Sequence, residues 1–249
     1  IENPDLRVID ASTAHRVAKG WTYGFAELEP DRGREIAASR RVANPGCWAT
    51  GFLALVRPLV REKLLPPDFP LSVHGVSGYS GGGKTMIEEF EKGDSSGFGQ
   101  TVQRSYALGL CHKHLPEMQA LAGLTHPPLF SPAVAHFYRG MLVEVPLPLW
   151  AIPGKICPRD LHLVLAKTYA GHPLIEVAGI EEAAAMAHLD AQLLAGSDRM
   201  KLFIFANEKT GQARAVALLD NLGKGAGGAA VQNLNIMLGL SETTGLQIC

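Results

Sequence analysis

Asn44-Pro45-Gly46-Cys47-Trp48-Ala49-Thr50 joins a turn, a cysteine and a helix start. Asn-Pro-Gly is turn chemistry: proline fixes φ, and glycine takes conformations closed to other residues. Downstream, residues 50–58 are apolar with helical spacing, and a helix is expected to stop near Pro58. Upstream, Arg41-Val42-Ala43 reads as a strand end. A thiol at a helix N-terminus meets unpaired N–H groups and the positive end of the dipole, and both favour the nucleophilic thiolate. The same pattern also fits a small buried residue at a strand-to-helix turn. On the chemical reading, Cys47 is the cysteine most readily alkylated near neutral pH, ahead of Cys111, Cys157 and Cys249.

Composition bounds what surrounds this stretch. A chain of 249 residues holds one large domain or two modest ones. Its 23 Lys+Arg balance 24 Asp+Glu, so no basic excess points to nucleic acid. No apolar run reaches the roughly 18 residues of a membrane helix, and Ile1-Glu2-Asn3-Pro4-Asp5 has neither the basic start nor the apolar stretch of a secretory signal. The four cysteines are scattered without a CxxC, which reads as reduced thiols in a cytoplasmic protein. The first residue is not Met and the chain opens just before a strand, as a fragment would.

Residues 6–10 read as a short strand, followed by the polar cluster Ala11-Ser12-Thr13-Ala14-His15-Arg16, where α/β sheets place ligand contacts. The planar fork of Arg16 suits a phosphate or carboxylate, and equally a solvated surface. Residues 35–40 look like a short helix. Residues 71–77 alternate as a strand and run into Gly78-Tyr79-Ser80-Gly81-Gly82-Gly83-Lys84-Thr85, which formally matches the phosphate-binding pattern GxxxxGK[ST]. A P-loop enzyme also wants a later apolar strand ending in an Mg²⁺-binding Asp. Residues 161–165 end in Ala166-Lys167, and Asp220 lies far downstream. With 27 glycines in the chain, chance also explains the match.

Pro116 and Glu117 suit a helix first turn, which leaves His112 and His114 in extended chain with both imidazoles on one side. The pair offers a general acid/base, an anion contact or two metal ligands, or it is simply a polar loop. No third and fourth ligand follow at metal spacing, so no metal is expected. Residues 141–149 alternate as a strand, residues 161–169 fit strand or helix, and residues 173–177, 200–207 and 213–219 are further strands, which indicates a mixed or antiparallel sheet. Residues 220–228 form a second glycine-rich loop ahead of an apolar helix over 229–240, suited to close backbone approach or an anion.

Together, Asn44-Pro45-Gly46-Cys47, Val76-Ser77-Gly78-Tyr79-Ser80-Gly81-Gly82-Gly83-Lys84, His112-Lys113-His114-Leu115-Pro116-Glu117 and the segments 137–145 and 220–233 resemble the N-acetyl-γ-glutamyl-phosphate reductase family, in its shorter type 2 form. The likeness runs in order along nearly the whole chain. It implies an α/β protein built like aspartate-semialdehyde dehydrogenase and glyceraldehyde-3-phosphate dehydrogenase: an α+β catalytic domain with a mixed sheet over residues 47–220, the remnant of a Rossmann domain over 1–46, and a glycine loop and helix over 221–249 that return to the nucleotide domain. It implies NADP(H)-dependent reduction of an acyl phosphate in arginine synthesis by a homodimer or homotetramer, with Cys47 as nucleophile and His112 or His114 as acid/base. Arg16, Ser77, Lys84 and Glu117 are then substrate-binding candidates, and Ser12, Gly81, Gly82, Asn221, Gly223, Lys224 and Gly225 are cofactor-binding candidates. The P-loop match becomes coincidental.

One departure stands out. The family opens with a Rossmann unit carrying a glycine-rich dinucleotide loop, and nothing before Asn44 matches it. The 249-residue chain alone is therefore expected to bind NADPH weakly or not at all, adding an upstream βαβ region to restore binding and reductase activity, and an inactive truncated fragment is the alternative. Calorimetric titration checks this; micromolar affinity, about −8 kcal/mol, overturns it.

Overall fold

The computed structural model describes residues 3, 5–92 and 101–248. Two sheets carry the chain. The smaller is parallel, with strands β1 (Val8–Asp10), β2 (Thr22–Tyr23) and β3 (Arg41–Ala43) in the order β1-β3-β2, flanked by helix α1 (Arg32–Ala38). The larger is a seven-stranded mixed sheet in the order β5-β6-β4-β7-β10-β9-β8. Its strands are β4 (Ser72–Gly78), β5 (Gln103–Ser105), β6 (Leu129–Ala135), β7 (Met141–Pro148), β8 (Ile175–Val177), β9 (Met200–Asn207) and β10 (Gln212–Leu219). β4 runs parallel to β6 and antiparallel to β7, and β10 is antiparallel to both neighbours, with Ala215 opposite Val145 and Ile204.

The core follows from strand period. Along β10, Ala213, Ala215, Ala217 and Leu219 join the main core, while Val216 and Leu218 join a second cluster with Ala183 and Phe203. Successive side chains point to opposite faces, so a strand apolar at every position is buried on both. Helix α2 (Cys47–Arg61) fills the main-core face, with Phe52, Leu53 and Leu55 completely buried. Helix α5 (Pro158–Tyr169) lies against α2 and resolves the ambiguity at residues 161–169. Pro158 opens it, and the Asp160 carboxylate accepts the Cys157 N–H at 2.8 Å, so its start is signalled by capping rather than by periodicity.

The expected stop at Pro58 does not occur: α2 runs through it to Arg61. Proline has no N–H to give the carbonyl of residue 54, four positions back. Here the buried Tyr169 O–H donates to the Ala54 carbonyl at 2.8 Å and satisfies the acceptor that proline abandons.

After β10, helix α7 (Gly228–Leu238) leaves the large sheet and packs on α1 and β1. Asn233 Nδ2 donates to the Gly24 carbonyl at 2.8 Å and to Asn44 Oδ1 at 3.1 Å, and Arg7 donates to the Met237 carbonyl. Ala26, Ile36, Val42 and Met237 close a small core there. The tail then folds back, with Asp198 N–H donating to the Gln247 carbonyl at 2.7 Å; Cys249 lies outside the described residues. No described helix is long and apolar enough to cross a membrane.

Tyr169→Phe orphans the buried Ala54 carbonyl and is expected to cost about 1–3 kcal/mol. Pro58→Ala restores the missing N–H, so it recovers most of that loss in the Tyr169→Phe background and gives little alone. Urea unfolding of the three variants and the parent measures the coupling.

Candidate active site

A cleft of about 420 Å³ opens where α2 begins, between the two sheets. Cys47 is the first residue of α2 and Gly46 its N-cap. Glycine is required at this cap by space: a Cβ would stand 2.4 Å from Arg16 Nη1 and 2.5 Å from His114 Nε2. Both cationic and imidazole side chains therefore lie against bare backbone beside Cys47.

Behind them is a buried carboxylate. Glu117 lies on helix α4 (Leu115–Ala122), and its Oε1 accepts the Tyr23 O–H at 2.5 Å and the Gly46 N–H at 2.8 Å. Its Oε2 accepts Arg16 Nη1 at 3.0 Å. Arg16 is held further by the Asn44 and Ala11 carbonyls, at 3.0 and 3.1 Å. Glu117 thus touches the turn and the arginine and does not itself line the cleft.

The two histidines do reach the cleft, but not in extended chain. Lys113 and His114 form a turn, His114 is in the αR region, and its N–H donates to His112 Nδ1 at 3.1 Å. The rings meet edge to face with centroids 4.8 Å apart. Burial holds the His112 pKa down to about 4, with Lys113 adding to it. Burial, His112, Arg16 and Lys113 hold His114 at about 2. Both imidazoles are neutral at physiological pH.

The expected resting thiolate is corrected. Burial pushes the Cys47 thiol up to about 11; the Trp48 backbone N–H, Arg16 and Lys113 favour the anion, and the Glu117 carboxylate opposes it. Loss of water outweighs the helix end. Cys111 and Cys157 are exposed whereas Cys47 is only partly so, so the expectation that Cys47 alkylates first near neutral pH is revised as well.

The glycine-rich loops divide. Ser77, Gly81 and Gly82 line the cleft, while Lys84 is exposed on helix α3 (Gly83–Lys92) outside it. Residues Tyr79–Gly82 are a 3-10 turn, and the N–H groups of Gly78, Tyr79 and Ser80 donate to the Gly140, Phe137 and Tyr138 carbonyls. These bonds tie the start of the loop to the connection between β6 and β7. Asp220 is no magnesium ligand: its carboxylate is fully buried and accepts Arg139 Nε, the Gly196 N–H and the Leu222 N–H.

In the second loop, Gly223–Gly227 makes one turn of π-helix, a distortion common at functional sites. Gly225 lies against Cys47, where a Cβ would come within 2.9 Å of the Cys47 Cβ. Asn221 lines the cleft, but its amide is used by the Gly140 N–H and Ser80 Oγ, both at 2.9 Å. Gly223 and Lys224 do not line it. Gly223 abuts the Ser197 carbonyl, and Lys224 is buried with Nζ at 2.7 Å from Glu27 Oε1 and 2.6 Å from Gln232 Oε1. Ser12 is exposed and bonded to Asp10, outside the cleft. Reading the sequence missed Trp48 and Tyr106, which line the cleft together, with Trp48 Nε1 donating to Tyr106 Oη at 2.8 Å. Tyr106 lies six residues before His112, and that spacing was the available signal.

A cysteine at a helix start, two neutral imidazoles and a captive arginine share one cleft, a set suited to nucleophilic acyl transfer, and the family match makes the class that of the semialdehyde dehydrogenases. Residues 47–221 match the semialdehyde dehydrogenase dimerisation domain. The fold is that of a probable aspartate-semialdehyde dehydrogenase from Pseudomonas aeruginosa (TM-score 0.68, 16% identity, 93% of this chain and 72% of that one) and of aspartate semialdehyde dehydrogenase II from Vibrio cholerae (TM-score 0.67, 17% identity, 93% and 72%). The N-acetyl-gamma-glutamyl-phosphate reductase of Trichormus variabilis is 46% identical over 252 residues, covering 99% of this chain and 78% of that protein. That of Brucella ovis is 52% identical over 233 residues, covering 94% and 75%. The chain belongs to the N-acetyl-γ-glutamyl-phosphate reductase family.

With the Cys47 thiol at about 11, iodoacetamide alkylation of this residue in the free protein should keep rising through pH 8 to 10. Peptide mapping across that range measures it, and a plateau at or below pH 8 defeats the assignment.

Proposed function

We propose that this chain reduces N-acetyl-γ-glutamyl phosphate to the semialdehyde with release of phosphate, in the cytoplasm, as a homodimer or homotetramer. The observation that carries the reading is Cys47 at the first position of α2, in one cleft with Arg16 and both histidines. Family membership and the dimerisation-domain match support the reaction class and the assembly. Residues 1–46 are read as part of the nucleotide-binding domain, residues 47–220 as the catalytic domain and residues 221–249 as the returning loop and helix.

Cys47 attacks the acyl carbon while a neutral imidazole of His112 or His114 takes the thiol proton. Arg16, fixed by three protein acceptors, faces the leaving phosphate with its remaining N–H capacity. Phosphate departs and a thioester remains on Cys47. The family uses a nicotinamide cofactor, and the cleft suits its ring: bare backbone at Gly81, Gly82, Gly225 and Gly227, with only the methyl of Ala226 between the last two, walls the cleft beside Cys47, where any side chain at Gly225 would intrude. When bound, that cofactor, in our reading NADP(H), supplies the hydride. Phosphate carries the first proton away, so the imidazole is reprotonated from solvent and gives that second proton to the Cys47 sulfur as the aldehyde leaves.

Cys47→Ser should abolish reduction. The acid limb of kcat/KM should lie below pH 5, because the imidazoles protonate only near pH 4 and below and a protonated ring takes no proton. Stopped-flow or steady-state rates from pH 4 to 8 test this; half-loss of activity near pH 6.5 would show that the imidazole acting as base is not held down by burial.

A further inference from the structure

Tyr106 stands at the cleft with a phenol whose hydrogen is uncommitted. Its Oη accepts Trp48 Nε1–H at 2.8 Å. Its own O–H donates to no protein acceptor among the described residues, and its N–H is tied to the Pro132 carbonyl at 3.2 Å. Trp48 follows Cys47 in the first turn of α2, so the indole fixes the phenol relative to the thiol. The His112 ring lies 5.8 Å from that of Tyr106 on the same wall. Burial and the neighbouring Cys47 hold the phenol above its ordinary pKa, so it stays protonated wherever the enzyme works. The Trp48 backbone N–H, the helix-end donor nearest the sulfur, already faces Cys47.

We propose that Tyr106 is a catalytic residue: its O–H, oriented by the Trp48 indole, donates to the acyl oxygen as negative charge develops there. This deepens the acyl-phosphate reading and rests on it. In the step concerned, the Cys47 sulfur forms a bond to the acyl carbon, its proton passes to an imidazole, and the carbonyl π electrons move to the oxygen, where Tyr106 meets them. The oxygen then re-forms the carbonyl, the carbon–oxygen bond to phosphate breaks, and phosphate leaves with that electron pair and takes the proton from the imidazolium. No electrons are gained or lost, and no cofactor takes part. A donor aimed at the developing charge acts on the transition state more than on the bound substrate.

The test is the single-turnover burst of phosphate from N-acetyl-γ-glutamyl phosphate with no nicotinamide present, and thioester on Cys47 read by mass spectrometry. Tyr106→Phe should slow the burst about 100-fold while Cys47 alkylation at pH 9 stays within about twofold of the parent, which separates loss of the donor from a disturbed thiol. The double variant Trp48→Phe/Tyr106→Phe should be as slow as Tyr106→Phe. A full-rate burst in Tyr106→Phe overturns the proposal, as does recovery in the double variant, which would blame the orphaned indole, or a parallel fall in alkylation. Absence of any burst in the parent, or its survival in Cys47→Ser, instead overturns the acyl-phosphate reading itself and takes the proposal with it.

Discussion

The Glu117 carboxylate holds the site together. One oxygen takes a phenol and a backbone amide, the other a guanidinium, and those three groups come from β2, the turn before α2 and the loop after β1. A buried carboxylate is tolerable only when its acceptor sites are filled. The cost of leaving any of them empty, about 3–5 kcal/mol for a broken buried ion pair, is what locks the Pro-Gly turn to α4 and Arg16 to both. The exposures of 8% for Arg16 and 2% for Glu117 show how little water is available to substitute. Burial raises the Glu117 pKa, and Arg16, Tyr23 and the Gly46 amide pull it back. The same desolvation keeps the thiol protonated and the imidazoles neutral. Reactivity here is stored as poised neutral groups rather than as a standing charge.

Much of this was legible in sequence. The Asn-Pro-Gly-Cys turn, most strands of the large sheet and the last helix follow from turn chemistry and period, and the histidine pair was found as a pair. What was not legible depends on partners distant in the chain. Pro58 looks like a helix stop because sequence cannot show that a tyrosine 111 positions later in numbering supplies the missing bond. Lys84 and Lys224 look alike as basic residues in glycine loops, yet one points to solvent and the other into a buried pair with Glu27. Composition around them says nothing of which. The thiolate expectation failed for a related reason: the helix end is a local feature, while the loss of water at Cys47 comes from the whole cleft closing over it.

The two glycine loops share a logic with opposite uses. In the first, the amides of Gly78, Tyr79 and Ser80 are held by carbonyls of the β6–β7 connection, and Gly81 and Gly82 line the cleft. In the second, Asp220 is the fixed point: its oxygens gather Arg139, Gly196 and the amides that begin the π-turn, and the turn sets Gly225 on Cys47. Both have the glycine content of an anion cradle. A motif defined by flexible residues reports where the chain approaches something closely, not what it approaches.

The pair between Glu27 and Lys224 spans 197 residues of chain. During synthesis at roughly 5–20 residues per second, Glu27 leaves the ribosome roughly 10 to 40 s before its counter-ion exists. Until then the segment holding Tyr23, Phe25 and Asn44 lacks α7, the helix that covers it, and a carboxylate that will be buried remains in water. Of the large sheet only β4 to β8 exist for most of that interval, since β10 ends at Leu219, five residues before Lys224, and the small sheet waits for α7. The cleft is therefore completed late, and the thiol gains its shielded surroundings only once α7 has been made.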